Sequence, residues 1–333
     1  MRNALLLALV LLAPIAASGA DMDIHYVPGR GLHLADDKVV LGGYLALNFK
    51  TLDESRTELA LDDLSAFLTI APTDRFRLFT EVELEDVVHI DGDGIGGNGD
   101  PVVLERLFAE YTPFDSVALR IGKMLTPIGI WNQIHAAPLV WSVSRPFATE
   151  LFFDTQFTGL EIETRHNLGA YALRINAFGQ ATDPITATGA VQQMSRGGGA
   201  RIQIGDLGHW HVAASYLRFL DDRDRIWKNT FGTDFQFVND RWELMSEFSL
   251  SDPDGRETEW AVYLQAVYNL GAGFHPFARY EHVETMGIVR DPVSFGVDYK
   301  PRPNMIIKLE GVVGKAGLED GGNGFLASYS VLF

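Results

Sequence analysis

The chain has 333 residues, a mean hydropathy of +0.03, a formal net charge of -17 and no cysteine. The missing cysteine excludes a disulfide scaffold, a thiolate metal site and a cysteine nucleophile, and the acidic balance argues against a nucleic-acid partner. With 21 Phe, 10 Tyr and 6 Trp the chain is not disordered, yet past the first residues no apolar run approaches the roughly 20 residues of a transmembrane helix.

The first segment reads as an export signal. Arg2 supplies a positive start, residues 5–12 an apolar core, and Ser18, Gly19 and Ala20 a small-residue cleavage site. Pro14 and the short apolar stretch disfavour a retained anchor. The expected division is a signal peptide over 1–20, a periplasmic N-terminal segment over 21–37 and one sheet-built domain over 38–333.

From there the pattern alternates by two. Phe76, Leu78, Val82 and Leu84 alternate with Arg75, Arg77, Glu81, Glu83 and Glu85. Later, Trp242, Leu244, Phe248 and Leu250 alternate with Arg241, Glu243, Glu247 and Ser249, and Trp260, Val262, Leu264, Ala266 and Tyr268 repeat the pattern. A period of two places the two sets on opposite faces of a strand, whereas a helix would scatter them. Short connections near 72–74, 113–115, 166–169, 205–208, 239–240, 271–273 and 301–304 take turns with longer ones at 91–100, 125–154, 182–195, 220–225, 252–257, 287–291 and 315–324. About sixteen strands, with tight turns at one end and long loops at the other, form the pattern of a transmembrane antiparallel β-barrel.

A soluble β-sandwich also alternates, but two features disfavour it. The apolar parity carries aromatics near strand ends, among them Trp210, Tyr216, Phe231, Trp242, Trp260, Tyr280 and Tyr299, as in an interface girdle. The other parity carries charges of both signs in mid-strand: Arg279 with Glu281, Asp298 with Lys300, Lys308 with Glu310. Such charges fit a wet interior, and lipid tolerates only the opposite face.

The segment from 125 to 154 is the longest connection and is apolar for a loop, with Ile128, Ile130, Trp131, Val140, Trp141, Phe147, Phe152 and Phe153. Long loops in water are usually polar, so this one is expected to fold back into the lumen and narrow it. The final strand carries Phe325, Ala327, Tyr329, Val331 and the terminal Phe333 on one parity. It looks like the terminal strand that the outer-membrane assembly machinery recognises, which makes Tyr329, Val331 and Phe333 the expected assembly signal.

The stretch Gly122-Lys123-Met124-Leu125-Thr126-Pro127-Ile128-Gly129, leading into Trp131-Asn132, resembles the corresponding strand-to-loop junction of the phosphate-selective porin O/P family. The resemblance covers about 20 residues. It implies that the third external loop enters the lumen as the constriction, here with Thr126, Pro127, Gly129, Trp131, Trp141, Arg145 and Phe147, and that the protein is a homotrimer. Parity places Arg75, Arg77, Arg106, Arg120, Arg174 and Arg201 inward together with Glu81, Glu83 and Glu110. Arg106, Arg120, Arg174 and Arg201 are expected to form a basic wall facing Glu150 and Asp154, with a field across the gap. With 44 acidic against 27 basic residues, composition points to mixed or cation preference rather than to phosphate.

Other chemistry is weaker. The run Asp91-Gly92-Asp93-Gly94 with Asn98 and Asp100 lacks the glutamate that completes a calcium loop. His209 and His211 share a strand face without a third ligand, and Gly197-Gly198-Gly199 precedes no helix that would cradle phosphate. No Ser-His-acid grouping is recognisable. The expectation is therefore a passive diffusion porin for small hydrophilic solutes or ions, with no cofactor, resident metal or enzymatic activity, set in outer-membrane lipid and lipopolysaccharide of a Gram-negative bacterium. The alternatives are a barrel enzyme of lipase or protease type and a plugged scaffold or adhesin barrel.

Overall fold

The structure, a computed structural model, describes residues 23–53, 57–92, 94–97, 102–134, 136–185, 192–206, 208–314 and 323–333. The signal-peptide segment, and Asp93, Asn98 and Asp100, lie outside the described residues. Sixteen antiparallel strands close on themselves. In chain order they are β1 (Val39–Leu52), β2 (Glu58–Thr73), β3 (Phe76–Asp91), β4 (Val102–Phe114), β5 (Val117–Leu125), β6 (Gln156–Leu168), β7 (Tyr171–Gln180) and β8 (Met194–Gly205). The second half comprises β9 (Trp210–Asp221), β10 (Trp227–Val238), β11 (Trp242–Pro253), β12 (Glu259–Tyr268), β13 (Phe274–Thr285), β14 (Val293–Arg302), β15 (Met305–Val313) and β16 (Gly324–Leu332).

Each strand pairs with its neighbours in sequence, and β16 returns to β1 over Gly324↔Leu52 to Leu332↔Tyr44. The seven expected tight turns all join successive strands; the connection between β1 and β2, at 53–57, carries no Gly or Pro signal and was missed by the sequence pattern. Residues 24–34, within the N-terminal segment ahead of the barrel, are ordered. They form a hairpin, Ile24–Val27 with Gly31–Leu34, whose second arm pairs with Val39, Val40 and Leu41 at the start of β1.

The two parities separate as the alternation predicts. Leu119, Ile121, Leu160, Ile162, Phe231, Leu264, Phe295 and Leu309 are exposed on the outside, while Glu81, Glu161, Asp234, Glu247, Arg279, Asp298 and Lys308 are buried on the inside. A surface this apolar around a charged interior suits hydrocarbon outside and water within. The outward aromatics pair across strands at the two rims: Tyr171 with Trp210, Trp242 with Tyr268 and Phe274 with Tyr299 at the tight-turn end, Phe248 with Trp260 towards the other.

Closure depends on a close approach. Phe333 and Gly43 exchange backbone hydrogen bonds of 2.9 and 3.0 Å, and the Phe333 ring lies over Gly43. A Cβ at Gly43 would stand 2.2 Å from the Ser65 carbonyl oxygen and 2.9 Å from Phe333 Cε2. Gly43→Val is expected to open this seam at a cost of about 1–3 kcal/mol, seen as an earlier unfolding midpoint by tryptophan fluorescence in detergent. A midpoint equal to that of the parent would show that the seam has slack.

Candidate functional site

Segment 126–155 crosses the inner face of the barrel and is tied to it on several strands. It leaves β5 through a tight base. Thr126 Oγ1 donates to the Asp154 carbonyl at 2.6 Å, and Asn132 Nδ2 donates to the carbonyls of Thr126 and Thr155 at 2.8 and 2.9 Å. Arg145 Nη2 reaches the Asn132 side chain at 2.9 Å. Burial pushes the Arg145 guanidinium below its ordinary value. At Gly129 the backbone turns left-handed (φ +70°) and passes so near Glu247 that a Cβ would lie 2.0 Å from its carboxylate. The next turn donates the Trp131 N–H to Glu247 Oε1 at 2.9 Å, an oxygen also held by Tyr263 Oη at 2.7 Å.

Beyond Trp131 the segment crosses to the far wall. Lys308 donates to the Ala137 and Ser142 carbonyls at 2.8 and 3.1 Å. Glu310 accepts the N–H groups of Val143 and Ser144 at 2.6 and 3.0 Å, together with the Ser144 hydroxyl. Arg279 binds the Ser142 hydroxyl and the Ser144 carbonyl, and the Phe147 N–H donates to Glu281 at 2.8 Å. Trp141 reaches deepest. Its indole N–H donates to Glu243 at 2.9 Å, and Lys300 Nζ sits 3.6 Å from its ring centroid. Glu243 and Lys300 lie at the tight-turn ends of β11 and β14, so the segment descends nearly the full depth of the lumen.

Apolar packing explains why a loop of this composition folds inward. Ile128, Ile130, Trp131, Phe147, Leu151, Phe152 and Phe153 form one buried cluster with Phe157, Phe178, Leu217, Phe219, Met245 and Val283 of the wall. The wall from β6 to β13 is therefore partly apolar inside, against the simple expectation of a uniformly polar lumen. Glu310→Ala removes charge-assisted bonds worth roughly 1.5–3 kcal/mol each. It should make segment 126–155 susceptible to limited proteolysis in detergent while circular dichroism stays unchanged; equal resistance would show the far-wall anchor to be dispensable.

The inward arginines take partners from the wall itself. Arg77 pairs with Glu110 at 2.9 Å, and Arg120 with Glu110, Glu161 and Glu163 at 2.6, 3.2 and 3.3 Å. Arg174 stands 3.9 Å from Glu163, and Arg106 pairs with Glu81 while its guanidinium lies 4.7 Å from the Phe79 ring centroid. Arg201 is buried against Asp234, with His211 3.3 Å from the same carboxylate.

The expected basic wall facing Glu150 and Asp154 is thus corrected. Asp154 sits at the base of the segment, accepting the Met194 and Gln156 N–H groups at 2.8 and 3.2 Å, and burial pushes its carboxyl up to about 6. Glu150 lies half-buried on the short helix Phe147–Glu150. Arg75 is in a turn at the barrel mouth, paired with Asp115 at 3.0 Å, and does not line the interior. Glu83 is buried under Tyr44, whose hydroxyl donates to it at 3.3 Å.

Two β-bulges hid further charged groups from the parity count. Register shifts leave Glu105 of β4 and Asp62 of β2 as extra residues, which puts consecutive charged pairs, Glu105 with Arg106 and Asp62 with Asp63, at points where strict alternation would turn one of them outward. Glu105 accepts from Gln156, and Asp62 accepts from Asn48 at 2.5 Å. His209 and His211 engage separate carboxylates, Asp206 and Asp234, and do not converge on one point.

A sixteen-stranded closed barrel with an apolar exterior, a charged interior and a strand-to-strand connection folded against its inner wall defines the porin-type membrane barrel. Comparison with known proteins agrees on the fold. No family model matches the chain. An uncharacterised protein of Aquifex aeolicus is 22% identical, covering 86% of this chain and 79% of its own. Among solved structures, OmpF of Salmonella typhi in complex with daunomycin superposes with a TM-score of 0.62 at 13% identity, covering 93% of this chain and 99% of OmpF. The anion-selective porin from Comamonas acidovorans gives 0.60 at 14% identity, covering 89% and 99%.

Proposed function

We propose that this protein is a passive channel of the Gram-negative outer membrane for small hydrophilic solutes, with segment 126–155 as its constriction and a preference for anions. One observation carries the reading. A cleft beside the segment is lined by Pro127 and Gln133 of the segment and by Arg77, Arg106 and Arg120 of the wall, with Glu161 and Glu163 among them. The arginines there are the more exposed partners of their ion pairs: Arg77 is 42% exposed against 13% for Glu110, Arg106 24% against 0% for Glu81, and Arg120 16% against 6% and 7% for Glu161 and Glu163. A solute passing the segment meets guanidinium groups first, with the carboxylates behind them, and guanidinium is the better match for planar or tetrahedral oxyanions.

Whole-chain composition inclines towards cations, but selectivity is set where the passage is narrowest, and the charge of external loops does not reach there at physiological ionic strength. The Comamonas porin is described as anion-selective, which supports the reading by analogy of fold alone. The resemblance at Gly122–Asn132 supports a homotrimer, and the outward Tyr329, Val331 and Phe333 suit the role of assembly signal. Planar-bilayer recording of the purified protein in a potassium chloride gradient is the test. Current steps with a reversal potential on the anion side are expected. Cation-side reversal would reject the preference, and absence of conductance would favour the plugged scaffold.

A further inference from the structure

The hairpin ahead of the barrel brings together side chains that no pore requires. His25 and His33 stand directly opposite one another across its two arms, their rings stacked with centroids 5.0 Å apart. Ala35, Asp36 and Asp37 then take three consecutive left-handed conformations, which fold the chain back and bring Asp37 beside both rings. Asp37 Oδ1 lies 2.8 Å from His33 Nδ1 and 3.6 Å from His25 Nε2. One donor atom from each of the three residues falls within 4.8 Å of the other two.

We propose that His25, His33 and Asp37 form a binding site for a divalent transition-metal ion such as Zn2+ or Cu2+. Two imidazoles and a carboxylate select borderline metals over Ca2+ and Mg2+, which demand more oxygen ligands. A tetrahedral site with metal–ligand bonds of about 2.0–2.1 Å has edges of about 3.3–3.4 Å, so the 3.6 Å separation nearly fits, and the 2.8 Å hydrogen bond between His33 and Asp37 would lengthen by about half an ångström as the ion takes the place of its proton. Asp23 adds a second tier. Its carboxylate lies 3.7 Å from His25 Nδ1, on the side of the ring away from Asp37, where a carboxylate orients a histidine that binds metal through Nε2. His25 and Asp37 are exposed, which leaves the ion accessible and the remaining coordination positions to water. The ion would clasp both arms of the hairpin to the turn that enters β1, where the hairpin continues the sheet beyond the end of β16.

The test uses untagged, chelator-treated full-length protein in detergent, titrated with zinc chloride by calorimetry and with Cu2+ by electron paramagnetic resonance. The expected result is a single saturable site. His25→Ala, His33→Ala and Asp37→Ala should each weaken it on the order of tenfold or more, and Asp23→Asn by less. The copper spectrum should show coupling to two imidazole nitrogens, reduced to one in either histidine variant. A variant with His209 and His211 replaced should bind normally. No saturable binding, or binding and nitrogen coupling that survive loss of both His25 and His33, would overturn the assignment. The variants lie ahead of the barrel strands, and unchanged migration of unboiled protein on a denaturing gel separates a lost site from a lost fold.

Discussion

Deleting residues 130–147 is expected to raise single-channel conductance roughly twofold or more while leaving the strand content intact. The deleted stretch includes Trp131, Trp141 and Phe147, and with them most of the bonds to Glu247, Lys308, Arg279 and Glu310. Those side chains would return to water, which is tolerable in a hydrated lumen, and the inter-strand ladder that carries the barrel would remain. Planar-bilayer recording checks conductance and circular dichroism checks the sheet. An unchanged conductance with intact strands would mean that the solute path does not pass the segment, and the constriction would have to be sought elsewhere.

Charge reversal at Arg77 and Arg174 together is expected to carry the reversal potential from the anion side to the cation side of a salt gradient. Both side chains are among the exposed members of the arginine series, so their replacement by Glu alters the field met by a solute with little loss of packing. The change is four formal units, while Arg120 stays paired with Glu110 and both Arg120 and Arg165 with Glu163. The shift should shrink in molar salt, where the screening length falls to about 3 Å. Arg120 is a poorer probe. It bridges Glu110, Glu161 and Glu163, and removing it leaves three carboxylates crowded together, confounding selectivity with stability. A reversal potential that does not move would refute the arginine lining as the selectivity element.

The barrel itself was legible in one dimension. Leu119 and Ile121 must face lipid and Arg120 must face water whatever the partner strands are, because neighbouring side chains on a strand point to opposite faces. The same logic placed Glu81, Glu247, Arg279 and Lys308 inside, and the apolar run between β5 and β6 set segment 126–155 apart from an ordinary polar loop. It failed at Glu105 and Asp62, where a single extra residue shifts the parity, and at Phe219 and Val283, inward residues that are apolar because the segment packs on them.

What a linear pattern cannot contain is which charge meets which. Arg201 and Asp234 lie on strands separated by a third, Trp141 and Lys300 on elements far apart in the chain, and their pairing follows from the closed sheet and the path of segment 126–155. Alternation, turn spacing and end-strand aromatics determined the barrel because they are local responses to solvent on each face. The exposure of the arginines, the burial of their carboxylates and the meeting of His25, His33 and Asp37 were decided only in three dimensions, because each depends on distances that exist after the strands have registered and the chain has turned back on itself.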